Sequence, residues 1–277
     1  MNLEIVKDYR VLVVGDAIMD RYRFCVPLGR GMKDSIISVK FEREESYLGG
    51  VWAAATHIKE LVSQVDIWHG STVMVNTKYV SGPYASKLFS THAETWQAAQ
   101  EPTLPIAQYD LVVVFDYGHG FLTQGLRERI MKDARWLAVN AQSNSLNYGF
   151  NRVDEKWPSA HLCVCDELEA RLAAHEPDAA VEDVILKLPY PSIIVTQGAN
   201  GATGYANREF YREGALTDRP VDLIGAGDAV LAVVAPYARA GFSIKDLVHL
   251  GNVAGAIKVG IVGHRGHVTK TELEKYL

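Results

Sequence analysis

Five short runs in this chain are apolar at almost every position: 11–15 (VLVVG), 111–115 (LVVVF), 136–140 (WLAVN), 161–165 (HLCVC) and 192–196 (SIIVT). Runs of this length without alternation predict strands buried on both faces, as in a parallel sheet. Between them, residues 122–135, 167–174 and 181–188 carry apolar positions at helical spacing, and the stretch from 227 to 260 reads mostly as helix. Strand and helix in regular alternation predict an α/β fold of three layers, a mainly parallel central sheet flanked by helices and joined by right-handed crossovers.

Two stretches break the rhythm. Residues 22–44 and 72–94 are rich in Val, Ile, Tyr and Phe with partial alternation (RYRF, SIISVKF, VMVNTKYV) and lack helical spacing. They predict a small β-sheet lid, formed by about 20–46 and 71–95, on a single domain spanning 1–277. Open α/β sheets bind ligands at the carboxyl edge of their strands, and a lid there would exclude water from chemistry.

Composition narrows the function classes. Among 277 residues, 28 basic and 33 acidic side chains give a net charge of −5, with no block of consecutive Lys or Arg. That is no footprint for a nucleic-acid partner, although a local positive pocket could still take a small anion. The longest uncharged run, 188–207, is interrupted by prolines and glycines, so no membrane span is expected. The first ten residues mix acids with bases and lack the apolar core of a secretory signal, which leads us to expect a cytoplasmic protein. Three cysteines, Cys25, Cys163 and Cys165, cannot all pair and do not suit a disulfide framework. His161, Cys163 and Cys165 share a strand face at a spacing of roughly 6.6 Å, too wide for thiolates about one zinc ion. They read as ordinary buried strand residues.

No Walker A, dinucleotide-fold, hydrolase-elbow or zincin motif is present. One dense feature remains: Asp222-Leu-Ile-Gly225-Ala226-Gly227-Asp228, followed at once by the apolar helical run AVLAVVAPYARAG. Gly-Ala-Gly at a helix start lets backbone N–H groups approach a ligand, and the helix dipole adds about half a positive charge, so this end suits an anion. Asp228 itself would repel a phosphate. General base is its natural task, taking a proton from an attacking hydroxyl while the amides hold a transferring phosphoryl group. The plainer alternative is that the glycines permit close packing and Asp228 caps the helix.

DLIGAGDAVLA resembles the signature of the ribokinase-like (PfkB) carbohydrate kinase family, and the resemblance extends over nearly the whole chain. VLVVGDAIMDRY, with Asp16 and Asp20, is similar to that family's first strand and sugar-binding turn, and Gly49-Gly50 to its substrate-contacting glycine pair. NTKYVSGPYASKLF, with Lys78, and FDYGHGFLT, with Asp116, Tyr117 and Gly118, resemble its heptose-phosphate kinase branch. VTQGANGA, with Thr196, Gly198 and Gly201, is similar to its nucleotide-side strand and turn, and GNVAGAIKVGIVGHRG, with Asn252, to its closing helix. The resemblance implies a ribokinase-like fold and an ATP- and Mg²⁺-dependent kinase acting on a sugar or sugar phosphate. Asp228 would be the base, Gly225, Ala226 and Gly227 the anion hole, and Glu167 the metal residue, acting through water. It also admits a monovalent cation such as K⁺.

The chain departs from the family pattern at three places. Ala53 stands where many relatives have a sugar-contacting Asn, and Val164 replaces the Asn of the motif that ends in Glu167. Asn140-Ala141-Gln142 replaces an Asp-Pro-Lys strand end. Asn140 and the polar run NAQSNSLNYGFN after it are expected to contact substrate or phosphate, because they follow a parallel strand. Arg21, Arg23, Arg30, Lys33 and Lys78 are the lid cations from which a substrate-phosphate pocket would be drawn, Lys78 first; alternatively they keep a sheet edge soluble. Two other readings stay open: a nucleoside kinase of the same superfamily, and a catalytically weakened regulatory module that binds sugar or nucleotide. Open lid edges also suggest a homodimer.

Overall fold

The computed structural model describes residues 1–31, 35–82 and 86–277; the lid cation Lys33 lies outside the described residues. The large sheet holds β1 (Arg10–Gly15), β4 (Gln64–Trp68), β7 (Leu111–Asp116), β8 (Leu137–Ala141), β9 (Leu162–Asp166), β10 (Ser192–Thr196), β11 (Ala202–Ala206) and β12 (Glu209–Glu213). Its order is β12-β11-β10-β9-β8-β7-β1-β4. The six strands from β10 to β4 are parallel, and β11 and β12 form an antiparallel hairpin at one edge.

The unbroken apolar runs are buried on both faces. In β1, Val11 and Val13 enter one core with α1 (Val51–Lys59), α6 (Ala226–Arg239) and α7 (Ile244–Val259). Leu12 and Val14 enter the other, with residues of α2 (Gln124–Asp133), α3 (Val153–Lys156), α4 (Glu167–Ala174) and α5 (Val181–Lys187). The short α8 (Lys270–Leu273) closes the chain against the first core. Successive strand side chains point to opposite faces, so each apolar pair supplies one residue to each helical layer.

The second sheet has the order β3-β2-β5-β6, from β2 (Ala17–Arg30), β3 (Ile37–Gly50), β5 (Thr72–Ser81) and β6 (Ser86–Trp96). It grows directly from the first: β1 ends at Gly15 and β2 begins at Ala17. Its β2–β5 pair is parallel and its outer pairs are antiparallel.

Candidate active site

The Gly-Ala-Gly turn lies at the carboxyl side of the large sheet. Gly225 is the N-cap of α6 with φ of 73°, a left-handed conformation that glycine adopts readily, and no side chain caps the helix start. A Cβ at Gly227 would meet nothing within 4 Å, so the first turn of α6 faces open space.

Two cavities meet at this turn. A polar one of ≈180 Å³ is lined by Asn140, Gln142, Asp166, Glu169 and the turn from Gly225 to Asp228. A larger one of ≈300 Å³ runs between the β10–β11 turn, α6 and α7, and its walls include Gly198, Gly201, Ala215, Val230, Asn252 and Gly255. Thr196, Leu223, Ala226 and Gly227 line both. Thus Thr196, Gly198, Gly201 and Asn252, four sequence candidates spread over 57 positions, stand around one cavity. Gly201 is required there: its φ is 88°, and a Cβ would lie 2.0 Å from the Glu213 carbonyl oxygen. Asn252 Nδ2 donates to Glu213 Oε2 at 3.0 Å, tying α7 to the end of β12.

Asp228 lies on the far side of the turn, partly buried. Burial raises its pKa, the Asp20 carboxylate adds to the rise, and His264, Tyr117 and Lys258 oppose it. Tyr117 is brought there by the loop after β7. The Asp16 carboxylate accepts from the backbone N–H groups of Tyr117 (3.0 Å), His119 (3.3 Å) and Phe121 (3.3 Å), clamping that loop to the end of β1. Burial, with help from Asp116, pushes the Asp16 carboxyl up to about 6 against the pull of those amides.

Asp20 is buried between a lysine and a histidine. It accepts from Lys78 Nζ and stands 3.0 Å from His264 Nε2. Burial alone would raise its pKa, but His264 and Lys78 outweigh it and hold the group below the usual carboxylate value. The glycine pair makes room for this arrangement. A Cβ at Gly49 would stand 2.4 Å from Asp20 Oδ2, and one at Gly50, where φ is 55°, would stand 2.6 Å from the Asp16 carbonyl oxygen.

Other expected residues sit differently. Glu167 is turned to the outside of α4, where its carboxylate pairs with Arg171 at 2.6 Å and accepts from Gln197 at 3.0 Å. Glu169, one half-turn on, faces the polar cavity instead, with its pKa raised by burial and by Asp166. Asn140 is in the same cavity, donating to the Val164 carbonyl at 2.8 Å, and not beside Asp16 and Asp20. The asparagines after it buttress the β7 loop: Asn144 and Asn147 donate to the Tyr117 carbonyl (2.8 and 2.9 Å) and Asn151 to that of Asp116 (2.9 Å). Arg21 and Arg23 pair with Glu44 at 3.2 and 2.8 Å, and Arg30 is exposed. Sequence reasoning passed over His264, Lys258 and Glu169. For Glu169 a signal existed, because Asp166-x-x-Glu169 has capping-box spacing, and both hydrogen bonds of that box are present. Nothing local marks His264, which reaches Asp20 across 244 positions.

A mainly parallel sheet between helical layers, a small sheet at its carboxyl edge and a glycine turn joining two cavities define a ribokinase-like fold. A putative ribokinase from Agrobacterium tumefaciens superposes with a TM-score of 0.70 at 18% identity, covering 97% of both chains. Arabidopsis thaliana ribokinase, solved with ribose and ATP, gives 0.68 at 12% identity over 97% of this chain and 98% of its own. The sequence pattern of the pfkB family carbohydrate kinases matches residues 76–270, and the chain belongs to that family. Among named relatives, the D-beta-D-heptose 7-phosphate kinase of Bordetella bronchiseptica is 28% identical over 305 aligned positions, covering 95% of each chain. The bifunctional protein HldE of Hyphomonas neptunium is 25% identical over 302 positions, covering 92% of this chain and 60% of that protein. The chain thus spans about 60% of the length of that bifunctional relative. No helix among the described residues is long and apolar enough to cross a membrane.

Proposed function

We propose that this chain transfers the γ-phosphoryl group of ATP to a hydroxyl of a sugar phosphate, with heptose 7-phosphate, the substrate named for the Bordetella relative, as the first acceptor to try. The observation that carries this reading is the glycine turn that opens into both cavities with a raised-pKa carboxylate, Asp228, at its edge. Adenosine would occupy the larger cavity against Thr196, Gly198, Gly201 and Asn252. The phosphates would cross the shared wall to the first-turn amides of α6, where Gly225, Ala226 and Gly227 form the anion hole. The acceptor would lie between Asp228 and the group formed by Asp16, Asp20, Gly49, Gly50 and Lys78, under the small sheet acting as a lid.

In this reading a carboxylate oxygen of Asp228 takes the proton of the acceptor hydroxyl as the hydroxyl oxygen bonds to the γ-phosphorus. The bond to the bridging oxygen breaks, and ADP leaves with its electron pair. A pKa raised above the usual carboxylate value makes Asp228 a stronger base for the acceptor proton. Tyr117 and His264 stand near it and lower its pKa against the effect of burial. Asp16 holds Tyr117 through the loop amides and Asp20 holds His264, so both also act as positioning residues.

No group of three ligating side chains forms a metal cage among the described residues, so Mg²⁺ would be held mainly by phosphate oxygens and water. Asp166 and Glu169 fit that role by facing the polar cavity, whereas Glu167 would first have to leave Arg171. When bound, Mg²⁺ neutralises charge on the β- and γ-phosphates.

The small sheet also suits a second copy of the chain. Phe41, Leu88 and Phe89 are exposed on it, and Trp96 is 75% exposed at the end of the edge strand β6. Light scattering should find a dimer that Trp96→Asp weakens, and a wild-type monomer at micromolar concentration would refute this pairing.

Asp228→Asn tests the central assignment. Turnover should fall by ~10² or more while nucleotide affinity survives, because the shape is kept and the proton acceptor is lost. Near-normal turnover would remove Asp228 from the role of base.

A further inference from the structure

The last turn of α7 carries Lys258, whose side chain is fully buried. Its Nζ donates to the Ile224 carbonyl at 2.8 Å and to the Gly263 carbonyl at 2.7 Å. Those carbonyls belong to the two loops that frame the site, one leading into the glycine turn and the other carrying His264. The lysine stem passes under the turn itself, since a Cβ at Gly225 would stand 3.4 Å from Lys258 Cε. Asp222 ties the same two loops, accepting from Ile224 N at 3.2 Å and Gly263 N at 2.9 Å. Burial lowers the Lys258 pKa, and the nearby carboxylates of Asp222, Asp228 and Asp20 oppose that.

An ammonium group held by converging carbonyl oxygens with a carboxylate alongside has the chemistry of a monovalent-cation site. Without a cation those oxygens would face each other unsatisfied, and buried acceptors without partners are costly. The sequence resemblance admits a cation such as K⁺. The residues present do not fit one at this point, because Nζ already fills it.

We propose that the Lys258 ammonium is a built-in replacement for a monovalent cation, locking the glycine turn against the His264 loop so that this chain works without K⁺. The importance of the turn rests on the kinase reading; the cation mimicry does not. Lys258 is a positioning residue, acting on the turn through the Ile224 carbonyl.

The test compares wild type and Lys258→Ala in K⁺, NH₄⁺, Na⁺ and choline chlorides at one ionic strength, reading melting temperature and phosphoryl transfer. Wild type should melt and turn over alike in all four. Lys258→Ala should melt lower and turn over about tenfold more slowly in choline, and K⁺ or NH₄⁺ should restore both, since a charged hydrogen-bonded group is being replaced. Lys258→Met, which keeps the hole filled, should not be rescued. The proposal is overturned if wild type is about tenfold faster in K⁺ than in choline, or if folded Lys258→Ala responds to no cation. If Lys258→Ala folds in none of the salts, the wild-type comparison decides alone. The melting arm stands even if no acceptor is phosphorylated, so failure of the kinase reading and failure of this one are distinguishable.

Discussion

Between the β10–β11 turn, α6 and α7 the cavity is walled mainly by glycines, alanines and aliphatic side chains, whereas beyond Asp228 stand Asp16, Asp20, Lys78 and His264. The first region is ready-made space, opened by backbone that no Cβ obstructs. The second is occupied by its own charges: Asp16 is spent on three amides and Asp20 on Lys78 and His264. A ligand can enter the apolar cavity without breaking anything. An acceptor entering the charged region must replace internal hydrogen bonds by its own, which is how a site comes to reject molecules lacking the right hydroxyls. Binding is therefore expected to be permissive on one side of the turn and demanding on the other.

The sharpest break in that contrast should come from Asp20→Ala. It leaves the Lys78 ammonium without its counter-charge and His264 without its partner, and acceptor affinity should fall by roughly 10² while nucleotide affinity stays within about twofold. Calorimetry with each ligand measures both, and an unchanged acceptor affinity would move the acceptor pocket elsewhere. Lys78→Ala should have a narrower effect. If Asp20 fixes that ammonium for a substrate phosphate, a sugar phosphate weakens about ten- to a hundredfold and the parent sugar not at all. Equal loss for both would return Lys78 to supporting Asp20 alone.

The same contrast was visible in the chain to very different degrees. Buried parallel strands such as 11–15 and 111–115 are legible because residues facing two helical layers leave no room for alternation. The hairpin from Ala202 to Glu213 leaves little mark on the sequence pattern. Its turn places two non-glycine residues, Asn207 and Arg208, at φ of 54° and 67°, and its strands are short and mixed in polarity. Glycines such as Gly201 and Gly225 are legible in sequence because they answer to local backbone geometry, with φ of 88° and 73°. Charges did not transfer so directly, since a carboxylate's task depends on partners far away in the chain. Asp16 reads as a sugar ligand in one dimension, and in the fold its carboxylate also clamps the loop after β7. The asparagine run after Asn140 reads as a ligand edge and serves as the scaffold of the Tyr117 loop.

On the permissive side, Gly201→Ala should weaken nucleotide binding by about tenfold. The added Cβ would meet the Glu213 carbonyl oxygen, and a left-handed alanine is strained by about 1–3 kcal/mol. Acceptor affinity should not follow, and equal losses on both sides would show that the two regions are not independent. The smallest expected effect is in pH. Asp228 works as a base only when ionised, and burial raises its pKa, so turnover should climb with pH and level off above the usual carboxylate range. In Asp228→Asn the residual rate should lose that acid limb, and a limb that persists would belong to another group.

The most direct measurement is phosphoryl transfer from γ-labelled ATP by the wild-type chain to three acceptors side by side: a sugar phosphate, its parent sugar and a nucleoside. The account predicts label on the sugar phosphate, markedly less on the parent sugar and none on the nucleoside. Label on the nucleoside alone, or on no acceptor by a chain that still binds ATP, would contradict it.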